Sequence, residues 1–152
     1  MYHFPIPKTT NIENLEKMAQ YIENLPQSVF DMSSFRLGDP IPISHECKTV
    51  GCIIGHCTIL DINPLPVDIL FGINYPTINF YRWCFNFTGI HQSVDVDEFL
   101  FLFGSDWYQI DNTPKGAAQR IRYFLENGLP ENWDEQMTGN APLSYLQTNK
   151  NQ

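Results

Sequence analysis

Apolar side chains recur every three or four residues in the first part of the chain, and this spacing predicts an amphipathic helix. Thr10 and Glu13 have the spacing of a capping box, so we expect the helix to begin there. Pro26 ends the pattern, because a proline cannot continue a helix. The predicted core-facing side chains are Ile12, Leu15, Met18, Ala19, Ile22 and Leu25.

A second helix is predicted where the signals for both helix ends are present. Thr113 is a typical N-cap residue, Pro114 suits the first helical position, and Gly128 follows the last apolar residue of the pattern. Arg120 and Arg122 fall on the same segment, and we expect them to lie on its solvated face. The predicted apolar stripe is Ala117, Ala118, Ile121, Phe124 and Leu125.

The pattern in the middle of the chain is less regular. Thr49 can cap a helix over residues 50–60, since its hydroxyl can accept from an amide of the first turn. Residues 67–92 fit either helix fragments or a short hairpin, because their apolar runs are too short to separate the two. Within them, residues 81–87 are so aromatic that we expect them to be buried or to form a contact surface.

A further helix is predicted to begin at Ser93 or Asp95 and to end at Gly104. The predicted fold is therefore mainly α, a compact single-domain helical fold with long ordered loops. We expect residues 1–146 to form the domain and residues 147–152 to be a polar C-terminal tail.

Charge is unevenly distributed in this chain of 152 residues. The net charge is -8, and residues 95–135 hold nine acidic but only three basic side chains. Such a field repels phosphate backbones and attracts a basic protein surface, including one that normally holds nucleic acid. The alternative is that the acidic residues serve solubility alone.

Targeting signals are absent from the sequence. The first residues lack the pattern of a signal peptide, and no apolar run is long enough to span a membrane. We therefore expect a cytoplasmic protein that binds neither a membrane nor nucleic acid directly.

The candidate partner-binding residues lie around the predicted helix start at residue 95. Three acidic residues fall together there, and an aromatic pair follows beyond Gly104. An exposed aromatic loop beside acidic residues would suit a recognition surface, although a tryptophan is more often buried. The candidates are Asp95, Asp97, Glu98, Asp106, Trp107 and Tyr108.

Residues 45–57 are the densest stretch of metal-capable and nucleophilic side chains. The candidate metal ligands are Cys47, Cys52, His56 and Cys57, but the second, well-separated ligand pair of a structural zinc site is missing. A nucleophilic reading would use the Cys47 thiol with His45 or His56 as the base, and no orienting partner is evident. The remaining interpretation is a small-residue helix with reduced, structural cysteines, and we expect no bound metal or cofactor.

Several motifs together resemble small uncharacterised proteins of bacteriophages and bacteria. They are Phe30-Asp31-Met32, Cys47-x-Thr49-x-x-Cys52-x-x-Gly55-His56, and Thr113-Pro114-x-x-Ala117-Ala118. In that group the second motif commonly has a glycine where this chain has Lys48. The resemblance implies a phage or bacterial setting and supplies no activity.

The leading hypothesis is an acidic, non-enzymatic binding protein that modulates a host or defence protein with a basic surface, in the manner of an anti-defence inhibitor. The competing hypothesis is a small enzyme or metal-binding protein that uses residues 45–57.

Overall fold

A computed structural model describes residues 2–30, 57, 76–104, 107 and 111–134. Helices dominate these residues, which confirms the mainly α fold class, and two very short strands pair beside them. In chain order the elements are β1 (His3–Phe4), α1 (Ile12–Glu23), a 3-10 turn (Gln27–Val29), α2 (Pro76–Thr88), α3 (Val96–Phe103), α4 (Pro114–Asn127) and β2 (Leu129–Pro130).

The first helix, α1, begins one residue later than the capping-box prediction. Asn11 is the N-cap, and its Oδ1 accepts from the amide of Asn14 at 3.0 Å, so the assignment of Thr10 as cap is wrong. Ile12 is 57% exposed and does not belong to the core-facing stripe. The helix ends at Glu23, three residues before Pro26.

The last helix, α4, has the predicted ends. The Thr113 hydroxyl accepts from the amide of Gly116 at 3.0 Å and donates to Asp111 Oδ1 at 2.5 Å. Gly128 closes the helix with a φ of 84°, a left-handed conformation that favours glycine, and a Cβ there would collide with the Phe4 carbonyl oxygen. Thr113 and Gly128 therefore fix both ends of α4 as the sequence predicts.

The helices α1 and α4 pack against each other and form the largest contact between elements. Their apolar stripes meet those of α2 and α3 in one core, as the amphipathic patterns require. Leu25, Leu125 and Trp133 are partly buried against this core. Its members include Leu15, Met18, Ala19, Ile22, Phe30, Cys57, Trp83, Cys84, Phe87, Phe99, Phe101, Leu102, Ala117, Ala118, Ile121 and Phe124.

Arg122 links α1 and α4 at the surface. Its guanidinium donates to both carboxylate oxygens of Glu23, with Nη2 to Oε1 at 3.0 Å, and its Nε lies 3.5 Å from Glu16 Oε1. This two-point geometry lowers the pKa of Glu23, chiefly through the Arg122 hydrogen bond. Arg122 is partly exposed, as predicted, but it also ties two helices together.

The end of α2 and the start of α1 satisfy each other's backbone groups. At the end of α2, the carbonyl oxygen of Thr88 accepts from the amide of Asn11 at 2.7 Å. The carbonyl oxygen of Phe87 accepts from Asn14 Nδ2 at 2.8 Å. These are groups that a helix end leaves without a partner in its own helix. Of the segment 67–92, for which the sequence fits helix fragments or a hairpin, residues 76–88 form a helix. Residues 67–75 lie outside the described residues.

The strands β1 and β2 form a two-stranded antiparallel ribbon in which His3 faces Pro130 and Phe4 faces Leu129. Because β2 follows α4 directly, the ribbon attaches the N-terminal segment to the end of that helix. The side chains reinforce the contact, since His3 Nε2 lies 2.6 Å from the Tyr123 hydroxyl. Burial raises the pKa of Tyr123.

Among the predictions about the fold, three more fall on residues that the structure does not describe. They concern the helix over 50–60 apart from Cys57, the boundary at residue 146, and the tail over 147–152.

Candidate functional site

Three of the predicted partner-binding residues lie at the start of α3. Asp95 occupies the N-cap position, and Asp97 and Glu98 are in the first helical turn. An acidic first turn interacts favourably with the helix dipole. Burial raises the pKa of Glu98, and the neighbouring charges of Asp95 and Asp97 act in the same direction.

The Asp95 carboxylate also has a structural role in the turn before α3. Its side chain caps no amide of α3; instead Asp95 Oδ2 accepts from the backbone amide of His91 at 3.0 Å. The Asp95 amide in turn donates to the His91 carbonyl oxygen at 2.8 Å. Asp95 therefore closes the turn over residues 91–95 that leads from α2 into α3.

The ring of His91 also contacts backbone groups of this turn. His91 Nδ1 lies 3.1 Å from the amide nitrogen of Ser93, 3.3 Å from that of Val94 and 2.9 Å from the Ser93 hydroxyl. The ring also packs edge-on against Phe85 of α2, with centroids 5.0 Å apart. The sequence interpretation missed His91; the available signal was a histidine two residues before a serine, which resembles the spacing of an Asx-turn.

Exposed apolar side chains occur next to the acidic residues in the chain and at Phe85, which contacts the turn through His91. Val94 is 78% exposed, and Phe85, Val96 and Leu100 are each exposed by more than a third. Val96 and Leu100 are four residues apart and so share one face of α3 with Asp97, while the opposite face is buried. We define the α3 surface as Phe85, Val94, Asp95, Val96, Asp97, Glu98 and Leu100.

The α3 surface is unusual because apolar and acidic side chains alternate within one short stretch. Single exposed apolar residues are normal on a soluble protein, so it is the presence of Val94, Val96 and Leu100 within seven positions of the chain that sets this stretch apart. Sequence reasoning identified its acidic members, left Phe85 in a segment expected to be buried or to form a contact surface, and missed the three apolar residues of the turn and α3. Val94, Val96 and Leu100 would have been found by assigning the outward face of the predicted helix.

The prediction of an exposed Trp107 is wrong, and the buried alternative holds. The Trp107 side chain is fully buried, and its indole nitrogen donates to the carbonyl oxygens of Phe101 at 2.8 Å and Leu100 at 3.2 Å. Its ring therefore cannot contact a partner in this structure. Asp106 and Tyr108 lie outside the described residues.

Arg120 also departs from its prediction. Instead of lying on a solvated face, it is fully buried, with its guanidinium carbon 4.2 Å from the centre of the Trp107 ring. Its Nη1 lies 3.4 Å from the carbonyl oxygen of Asp111. The stacking geometry explains the burial, because a guanidinium is attracted to an aromatic face and is weakly hydrated.

The cysteine cluster is described only at Cys57. The thiols of Cys57 and Cys84 are reduced and fully buried, and both residues belong to the core. Cys47, Cys52, His45 and His56 lie outside the described residues. Within the part that the structure describes, no three histidine, cysteine or acidic side chains converge on a point where a metal could bind.

A groove lies between α1 and α4. This groove of about 650 Å³ is lined by side chains that include Ile12, Gln20, Arg122 and Leu125. The Arg122 cation at its edge is already engaged by Glu23 and Glu16. The groove therefore offers no free charge from Arg122 with which to select a ligand.

Comparison of the chain with protein-family models, with curated proteins and with solved structures finds no match. Among the helices that the structure describes, none has both the length and the apolar character needed to cross a membrane.

Proposed function

We propose that this protein is a non-enzymatic, acidic binding protein that modulates a host or defence protein in a bacterial cell. The observation that carries the proposal is the α3 surface, where exposed apolar side chains stand among Asp95, Asp97 and Glu98. The phage or bacterial setting rests on the sequence resemblance described above. The cytoplasm of the host cell is the corresponding location.

The chemistry of the α3 surface suits a basic protein surface. Acidic residues around an apolar contact steer an oppositely charged partner into place, and the net charge of -8 adds a long-range attraction. Burial of Val96 and Leu100 would then supply the short-range free energy of the complex. A partner that normally holds nucleic acid presents such a surface, and covering it would block that activity.

Affinity capture from a bacterial lysate, followed by binding kinetics, tests the proposal. The variant bait is Val96→Ser/Asp97→Lys, and the chain offers a matched control in Ile12→Ser/Glu13→Lys. Both pairs are an exposed apolar residue followed by an acidic one at the start of a helix, so the two double changes alter the charge equally, and the control removes slightly more apolar surface.

We expect the α3 variant to lose the partner and the α1 variant to retain it. Association of the wild-type protein should slow as salt rises from about 0.05 to about 0.5 M, because the screening length falls to a few ångströms. Equal capture by both variants, or association that does not depend on salt, would contradict the proposal.

A further inference from the structure

Within the turn over residues 91–95, two backbone amides share one acceptor, the lone pair of His91 Nδ1. The Ser93 and Val94 amides, at 3.1 and 3.3 Å from His91 Nδ1, are both donors and cannot accept. His91 Nδ1 must therefore be the unprotonated nitrogen, and the ring proton resides on Nε2.

We propose that His91 is a pH-sensitive switch for the α3 surface, in which protonation at Nδ1 releases the amides of Ser93 and Val94 while the two hydrogen bonds between His91 and Asp95 remain. The added proton converts the acceptor into a donor that faces two backbone donors, so these hydrogen bonds are lost together. Histidine is the side chain that changes charge in the physiological range. The effect on binding rests on the proposed function, whereas the switch in the turn does not.

The groups that face His91 come from α2 and from the turn. From α2, Phe85 contributes an uncharged ring at 5.0 Å. From the turn, Ser93 contributes its hydroxyl, and the Asp95 carboxylate accepts from the His91 amide. The Asp95 carboxylate therefore engages the backbone of His91, and within these contacts no cation faces the His91 ring. Acidification exchanges a neutral ring that accepts from two amides for a charged ring that cannot accept from them.

Two substitutions test the hydrogen-bond acceptor and the aromatic ring of His91 separately. In His91→Asn, the Oδ1 atom is attached to Cγ just as Nδ1 is, so it can accept from the same amides without titrating. In His91→Phe, the ring remains against Phe85, but the acceptor is lost. The three proteins can be compared by NMR in the free state, which requires no partner.

The first measurement follows the ring nitrogens of His91 and the amides of Ser93 and Val94 between about pH 7.5 and about pH 5.5. In the wild type we expect a proton on Nε2 at the upper pH, and amide shifts that change with the same midpoint as the ring. His91→Asn should keep the bonded amide shifts throughout, and His91→Phe should show released amides throughout. A proton on Nδ1 at the upper pH, or amides that do not follow the ring, would overturn the switch.

The second measurement adds octalysine as a basic probe and maps its binding by NMR. Acidification should weaken binding to the α3 surface by about two- to fivefold in the wild type relative to His91→Asn, as expected for one exposed charge beside the site. Equal pH dependence of probe binding in the two proteins would overturn the claim that His91 regulates binding, without affecting the claim that it switches the turn. Absence of probe binding at the α3 surface would count against the proposed function and the regulatory part, while the NMR titration still decides the switch in the turn.

Discussion

The guanidinium carbon of Arg120 lies 4.2 Å above the Trp107 ring, and both side chains are fully buried. The Trp107 indole donates in turn to the carbonyl oxygens of Phe101 and Leu100 near the end of α3. Trp107 therefore connects α3 to the inner face of α4, and the pair is part of the architecture of the core.

Trp107→Phe should destabilise the protein by about 1 to 3 kcal/mol, because the ring face under Arg120 remains while the buried donor is lost. The free energy of unfolding from urea titration measures the effect. Trp133→Phe is the matched control, since Trp133 is only partly buried against the core. Equal losses for the two variants would mean that the indole hydrogen bonds contribute little.

Glu23→Gln should lower stability by about 0.5 kcal/mol at neutral pH, the size typical of a partly exposed ion pair. The pKa of Glu23 is lowered in the folded protein, so its contribution is present above the ordinary glutamate pKa and is lost as the pH falls through the lowered value. The difference between variant and wild type should therefore shrink on acidification below about pH 4. Urea titrations at several pH values check the sign.

The control for Glu23 is Glu13→Gln. Glu13 pairs with Lys17 at 3.5 Å on the same helix, but its side chain is 81% exposed. We expect a smaller loss there, and both losses should decrease with added salt. A larger effect at Glu13 than at Glu23 would contradict the importance of the link between helices.

Thr113→Ala should cost about 1 kcal/mol, because the amide of Gly116 loses its cap. Thr113→Ser, which keeps the hydroxyl, should retain most of the stability. Thermal and chemical denaturation of the two variants measure the difference. Similar stabilities for alanine and serine would show that the Thr113 hydrogen bond is dispensable.

Ile121→Ala should cost about 2 to 5 kcal/mol, since Ile121 is fully buried between helices. Ile12→Ala makes the same change at an exposed position and should stay within about 0.5 kcal/mol of the wild type, because alanine also favours helix. Chemical denaturation of the pair tests the assigned face of each helix. Comparable losses at the two positions would refute it.

Local chemistry made α4 predictable. Thr113, Pro114 and Gly128 act through their own backbone and their nearest neighbours, so the helix ends that they specify do not depend on how the helix packs. The start of α1 shows the limit of such signals. Thr10 and Asn11 are both good caps, and the bond from Asn11 to Thr88 of α2 belongs to tertiary structure, which sequence spacing does not encode.

Burial of polar and apolar groups depends even more on distant residues. Arg120 and Arg122 are two positions apart on one helix, yet Arg120 meets the Trp107 ring and Arg122 meets Glu23. Ile12 fits the apolar spacing of α1 but lies beyond the edge of the core. For the α3 surface, the acidic members were evident from charge, whereas the role of His91 required the geometry of the turn.

The ribbon of β1 and β2 has a consequence for the order in which the chain folds. His3 and its partner Pro130 are 127 positions apart, and α1 likewise needs α4 to cover its apolar stripe. During synthesis on the ribosome, both early segments must wait until residues beyond 114 have emerged, and loop closure over that distance slows the final step. Until then the apolar face of α1 and the aromatic side chains of β1 remain accessible to chaperones, so we expect the native state to be completed only after α4 and β2 have been synthesised.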